Sequence, residues 1–62
     1  MKNNVKLRRL KSGLTVRKLA EISGVPASTI SEIENEKREP GVAAAIMLAR
    51  ALRCNVDGLF VV

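Results

Sequence analysis

The side chains of this chain that could do chemistry lie between Thr15 and Pro40, in TVRKLAEISGVPASTISEIENEKREP. Ala27, Ser28 and Thr29 open a helical stretch there, and Glu32 stands one turn beyond Ser28 on the same exposed face. Small polar residues at the start of a helix suit the groove of a nucleic acid, because hydroxyls donate and accept hydrogen bonds at base edges. An ordinary solvated helix face carries the same residue types, so this pattern alone leaves both readings open. Arg17 and Lys18 begin the preceding helix. Free backbone N–H groups and the positive dipole end make such a place an anion site. Cationic side chains there oppose the dipole, an arrangement that makes more sense with a phosphate between them.

Two helices and a tight turn must hold these groups. Ala20 supplies the small residue that a close helix crossing needs, and Gly24 supplies a positive φ at no steric cost. Leu19, Val25, Ile30 and Ile33 form the apolar seam that locks the pair. A helix-turn-helix of this kind functions by placing its second helix in the major groove.

The rest of the chain parses as helix too. A first helix is expected from about Asn4 to Lys11, capped by Asn3 or Asn4 and stopped by Gly13. Its periodicity is imperfect: Leu7, Leu10 and Leu14 share a side that Val5 does not. The second helix follows Thr15 and ends before Gly24. The third starts at Pro26 or Ala27 and ends near Asn35. Pro40 and Gly41 punctuate the next loop. The fourth is VAAAIMLARALR, with Val42, Ala45, Ile46, Ala49 and Leu52 at helical spacing and a low bulk that suits close packing. Asn55 caps a short fifth helix whose Val56, Leu59 and Phe60 can close the core. No strand alternation competes. The expectation is an all-α, compact bundle of five short helices, with residues 1–62 as a single domain.

Composition narrows the function. Sixty-two residues bury only about 60% of their unfolded surface and leave no deep substrate cavity. The lone Cys54 and the absence of His rule out an internal disulfide, a zinc site and His-based catalysis. No Ser sits with a base and the acids are scattered, so no enzyme and no cofactor are expected. A reduced, cytoplasmic setting fits. No run approaches the roughly 20 apolar residues of a membrane span, and the opening MKNNVKLRRLK lacks the apolar core of a secretory signal. The net charge of +5 is one-sided. Residues 1–18 hold seven basic and no acidic residues, whereas residues 19–62 hold four basic and six acidic ones. A basic field of this kind points to a polyanion, nucleic acid first, with a solvated basic helix face as the plain alternative.

In ordered sequence, Arg9, GLT at 13–15, LA at 19–20, GVPASTISEIE at 24–34, Pro40, LARAL at 48–52 and VDGLF at 56–60 resemble the phage repressor/Cro-type, XRE-like helix-turn-helix family. The resemblance covers nearly the whole chain. It implies a lambda-repressor-like fold, operator DNA as partner and a two-fold homodimer. Carried onto this chain, it turns Ala27, Ser28 and Glu32 toward base edges. Ala27 can touch a thymine methyl, Ser28 can bond any base, and Glu32 can accept from cytosine N4. Arg17, Lys18, Thr29, Asn35, Lys37 and Arg38 fall to the phosphates, with Thr29 alternatively bonding local backbone. Lys6 and Arg8 are left open. Arg9 and Glu34 are implied as a structural ion pair between the first and third helices.

Three departures stand out. Family members commonly carry glutamine where Val16 follows Thr15. The usual glycine after the third helix is Glu36, so the turn is expected to shift to Asn35. Glu32 and Glu36 put negative charge near the DNA side. The expected function is transcriptional repression by operator occupancy, with helix five, Val61 and Val62 as the dimer contact and Phe60 in the core. A longer regulator could continue beyond the VDGLFVV ending. An antitoxin-like role through a protein partner is the alternative.

Overall fold

In the computed structural model, which describes residues 2–60, the elements are α1 (Val5–Lys11), α2 (Val16–Ser23), α3 (Ala27–Glu34), α4 (Val42–Ala51) and α5 (Val56–Leu59). Local chemistry sets the central pair. Thr15 is extended, and its Oγ1 accepts from the Lys18 N–H at 3.0 Å, so α2 begins at Val16. Gly24 ends α2 at φ 83°, donating its N–H to the Ala20 carbonyl at 2.9 Å. The Ser23 Oγ accepts from the Val25 N–H at 3.1 Å. Pro26, with φ −56°, then directs the chain into α3.

Among the described residues the only other pairing is an isolated antiparallel bridge between Asn3 and Phe60. The fold is all-α. Val5, Leu19, Ile30, Ile33, Leu48 and Leu59 are fully buried in one cluster, completed by Val25, Ala49 and Leu52. α2 packs on α3 and on α4, α4 on α5, and α1 on α3. No helix is long and apolar enough to cross a membrane among the described residues.

The structure corrects the inward face of α1. Val5 is fully buried, whereas Leu7 and Leu10 are 52% and 57% exposed. The reason is Arg9, one turn beyond Val5, whose guanidinium must face α3; that requirement turns Leu7 and Leu10 outward. Leu14, in the loop, does pack against the core. In α4 the buried residues are Ala45, Leu48 and Ala49, joined by Leu52 just beyond its end, while Val42 is 80% exposed and Ile46 lies at the surface. The two alanines let neighbouring backbones approach and the two leucines fill the space, so Val42 and Ile46 fall outside. In α5, Leu59 is buried and Val56 stays exposed, and Phe60, just after the helix, packs partly against the core. Asn55 begins α5 through its backbone carbonyl, which accepts from the Gly58 N–H at 2.9 Å; its side chain makes no cap bond.

The turn after α3 is also corrected. Asn35 keeps φ −89° and Glu36 itself takes φ 59°. The Lys37 N–H bonds the Glu32 carbonyl at 2.9 Å and the Glu36 N–H bonds the Ile33 carbonyl at 3.1 Å. These are the two bonds of a Schellman cap, and they hold a non-glycine residue in the left-handed region. Arg53 does the same after α4, at φ 54°. Its cap bonds run from the Cys54 N–H to the Ala49 carbonyl and from the Arg53 N–H to the Arg50 carbonyl, at 3.0 and 3.2 Å.

The start of the chain is pinned to its far side. The Asn4 N–H donates to the Leu59 carbonyl at 2.7 Å and its Nδ2 to the Gly58 carbonyl at 3.2 Å. Asn3 Nδ2 donates to the Ile33 carbonyl at 2.8 Å, and Asn3 Oδ1 accepts from the Val5 N–H at 3.1 Å. Val61 and Val62, expected in a dimer contact, lie outside the described residues.

Candidate nucleic-acid interface

Ile30 and Ile33 bury one side of α3 and so decide which side faces out. Helical spacing puts Ala27, Ser31, Asn35, Ser28 and Glu32 on adjoining positions of the opposite side, and all five are exposed. The result is a face of small and polar groups. Thr29 is half-buried at its edge. Ser31 is the residue that sequence reasoning missed. Its spacing of three from Ser28 and four from Ala27 was the available signal.

Not every group on this face is free. Asn35 Nδ2 donates to the Ser31 carbonyl at 2.9 Å, so this amide closes the end of α3. Arg38 Nη1 donates to Glu32 Oε1 at 3.1 Å, and the two side chains are 56% and 49% exposed. Lys37 is exposed and its side chain has no partner among the described residues.

At the start of α2, Arg17 and Lys18 are both exposed. Lys18 Nζ lies 3.5 Å from Glu21 Oε2 in an open surface pair. Such pairs are worth about 0–1 kcal/mol and release the lysine readily. Thr15 satisfies the Lys18 N–H and leaves the two preceding N–H groups pointing out of the helix end. Val16 packs against the core instead of reaching outward. On α1, a side chain at Gly58 would come within 3.5 Å of Arg8 Nη2, so Arg8 lies over α5. Lys6 is exposed.

One polar contact inside the fold aims the whole face. Arg9 Nε and Nη2 donate to Glu34 Oε2 and Oε1 at 2.7 and 3.1 Å, and Nη1 donates to the Leu14 carbonyl at 2.8 Å. The side chains are only 10% and 6% exposed. The hydrogen bond to Glu34 raises the pKa of Arg9, burial opposes that rise, and the carboxylate's charge adds to it. This bidentate fork ties α1 to the last turn of α3 and to the loop leading into α2.

A family model described as helix-turn-helix matches residues 5–59, nearly the entire described chain. A comparison with curated proteins finds no match. The matched span contains all five helices, the Gly24 turn and the polar face of α3. The chain belongs to the Cro/C1-type, XRE-like helix-turn-helix family of DNA-binding regulators, with that family's all-α, lambda-repressor-like fold.

Proposed function

We propose that this protein reads a specific double-stranded DNA sequence and represses transcription by occupying an operator as a two-fold dimer in the cytoplasm. The observation that carries the reading is the outer face of α3, small and polar along its length and held at a fixed angle by Gly24 and the Arg9–Glu34 fork. In this reading Ser28, Ala27 and Glu32 contact base edges. Arg17, Lys18, Thr29, Asn35, Lys37 and Arg38 hold phosphates and set the register. One domain of this size covers a half-site, and a dimer on a palindrome supplies the remaining specificity. An apolar groove lined by Val42, Ile46, Val56 and Phe60 supports the dimer, since Val42, Ile46 and Val56 are exposed among the described residues. A second reading, a regulator that works mainly through a protein partner, draws on Val16, whose side chain packs against the core and offers DNA no donor.

Selection from a random duplex library near physiological salt, then a salt titration on the winner, tests the proposal. The expected result is an enriched palindrome with a steep salt slope. Shallow, uniform binding, persisting in an artificially dimerised version, would favour the protein-partner reading.

A further inference from the structure

Glu32 and Arg38 carry different expected roles, yet they fold into one unit. The Schellman turn makes this possible. With Glu36 at φ 59° and the Lys37 N–H bonded back to the Glu32 carbonyl at 2.9 Å, the chain reverses over the end of α3. The side chain at 38 then returns along the helix and reaches the carboxylate at 3.1 Å. Only Nη1 and Oε1 are used. A guanidinium has five N–H donors in a fixed fork, so most of Arg38 remains free for a phosphate. Glu32 Oε2 likewise has no partner among the described residues.

Alone, a carboxylate on a DNA-facing surface is repelled by the phosphates. Joined to Arg38, it belongs to a unit without net charge, one end of which offers an acceptor. In water so exposed a pair is weak. A docked duplex excludes water and lowers the local dielectric, which strengthens the attraction at the moment of reading.

We infer that Arg38 is a positioning residue for sequence recognition: it grips a phosphate and, through the same guanidinium, holds Glu32 toward a base edge. This rests on the reading of Glu32 as a base contact. Lys37 is the natural control, being adjacent and exposed, with a backbone bond to Glu32 but no side-chain contact with its carboxylate.

The test measures binding of the whole chain to its selected duplex and to all single-base-pair variants, over a range of salt. The proteins compared are wild type, Ser28→Ala, Lys37→Ala, Arg38→Ala, Arg38→Gln, Glu32→Gln and the double variant Glu32→Gln/Arg38→Ala. Lys37→Ala should weaken every duplex alike and reduce the salt slope by about 1. Both Arg38 variants should reduce the slope similarly and also lower discrimination about tenfold at the base pair whose preference Glu32→Gln alters. In the Glu32→Gln background, Arg38→Ala should cost no more than Lys37→Ala does in wild type. Base profiles for the Arg38 variants that superimpose on that of Lys37→Ala would make Arg38 a phosphate contact only, with the DNA reading intact. An unchanged profile for Glu32→Gln, with a Ser28 variant still shifting it, would remove Glu32 from base reading and this inference with it. No selected duplex at all would sink the DNA reading itself.

Discussion

Arg9 and Glu34 are nearly buried, and each depends on the other for its hydration to be replaced. Removing one partner leaves an uncompensated charge inside a very small domain. Glu34→Gln or Arg9→Met should therefore cost about 3–5 kcal/mol, read in urea unfolding, and the double change Arg9→Met/Glu34→Leu should recover most of it. The raised pKa of Arg9 fixes the sign of the pH effect. Its contribution is complete below the ordinary guanidinium value and is lost only as pH rises past the shifted one, so melts across neutral pH should show no loss traceable to Arg9. Outside the core the same residue scale separates readers from holders. Ser28→Ala should change the preferred base at one position, whereas Lys37→Ala should weaken all sequences alike, which a base-profile titration distinguishes.

The helices end in residues that decide where the chain goes next. α1, α2, α3 and α4 are followed by Gly13, Gly24, Glu36 and Arg53, all at positive φ. Two of these are glycine and two are not. A side chain in the left-handed region costs roughly 1–2 kcal/mol, partly offset by the extra chain entropy of glycine when unfolded. Glu36→Gly and Arg53→Gly should each stabilise the fold by about 1 kcal/mol, and raise the melting midpoint by roughly 4–8 °C. Glu36→Gly also removes a charge that repels DNA, so affinity should rise with it. Gly24→Ala runs the other way. Its Cβ would meet Met47 Cε at 3.2 Å, a flexible tip that can yield, but φ 83° remains strained. A loss of about 1–2 kcal/mol is expected in the same unfolding assay.

At the scale of the molecule, one stretch of apolar surface that the core leaves outside lies where α4 meets α5. Val42, Ile46 and Val56 are exposed there beside Phe60. Charging the groove with Ile46→Glu should leave the melt nearly unchanged, because that side chain already sits partly in water. It should abolish the gain in affinity of a palindrome over an isolated half-site, with sedimentation showing monomers. Unaltered palindrome binding would place the dimer contact elsewhere.

The sequence by itself determined the local events. Thr15, Gly24 and Pro26 act through their own backbone and nearest neighbours, so the start of α2, the turn and the entry to α3 follow from residue type alone. The outer face of α3 was legible for a similar reason, because Ile30 and Ile33 fix it through helical spacing; Ser31 was within reach of the same argument. Tertiary structure decided which of two plausible faces was buried. Val5 is in the core, and Leu7 and Leu10 are not, because α1 must aim Arg9 at a carboxylate 25 positions away. Periodicity announces that a helix has a face, but burial is settled by partners distant in sequence. The same holds for Asn3 on the Ile33 carbonyl, for the groove beside α4 and for the reach of Arg38 back to Glu32. Each depends on where the chain returns in space, which spacing along it does not encode.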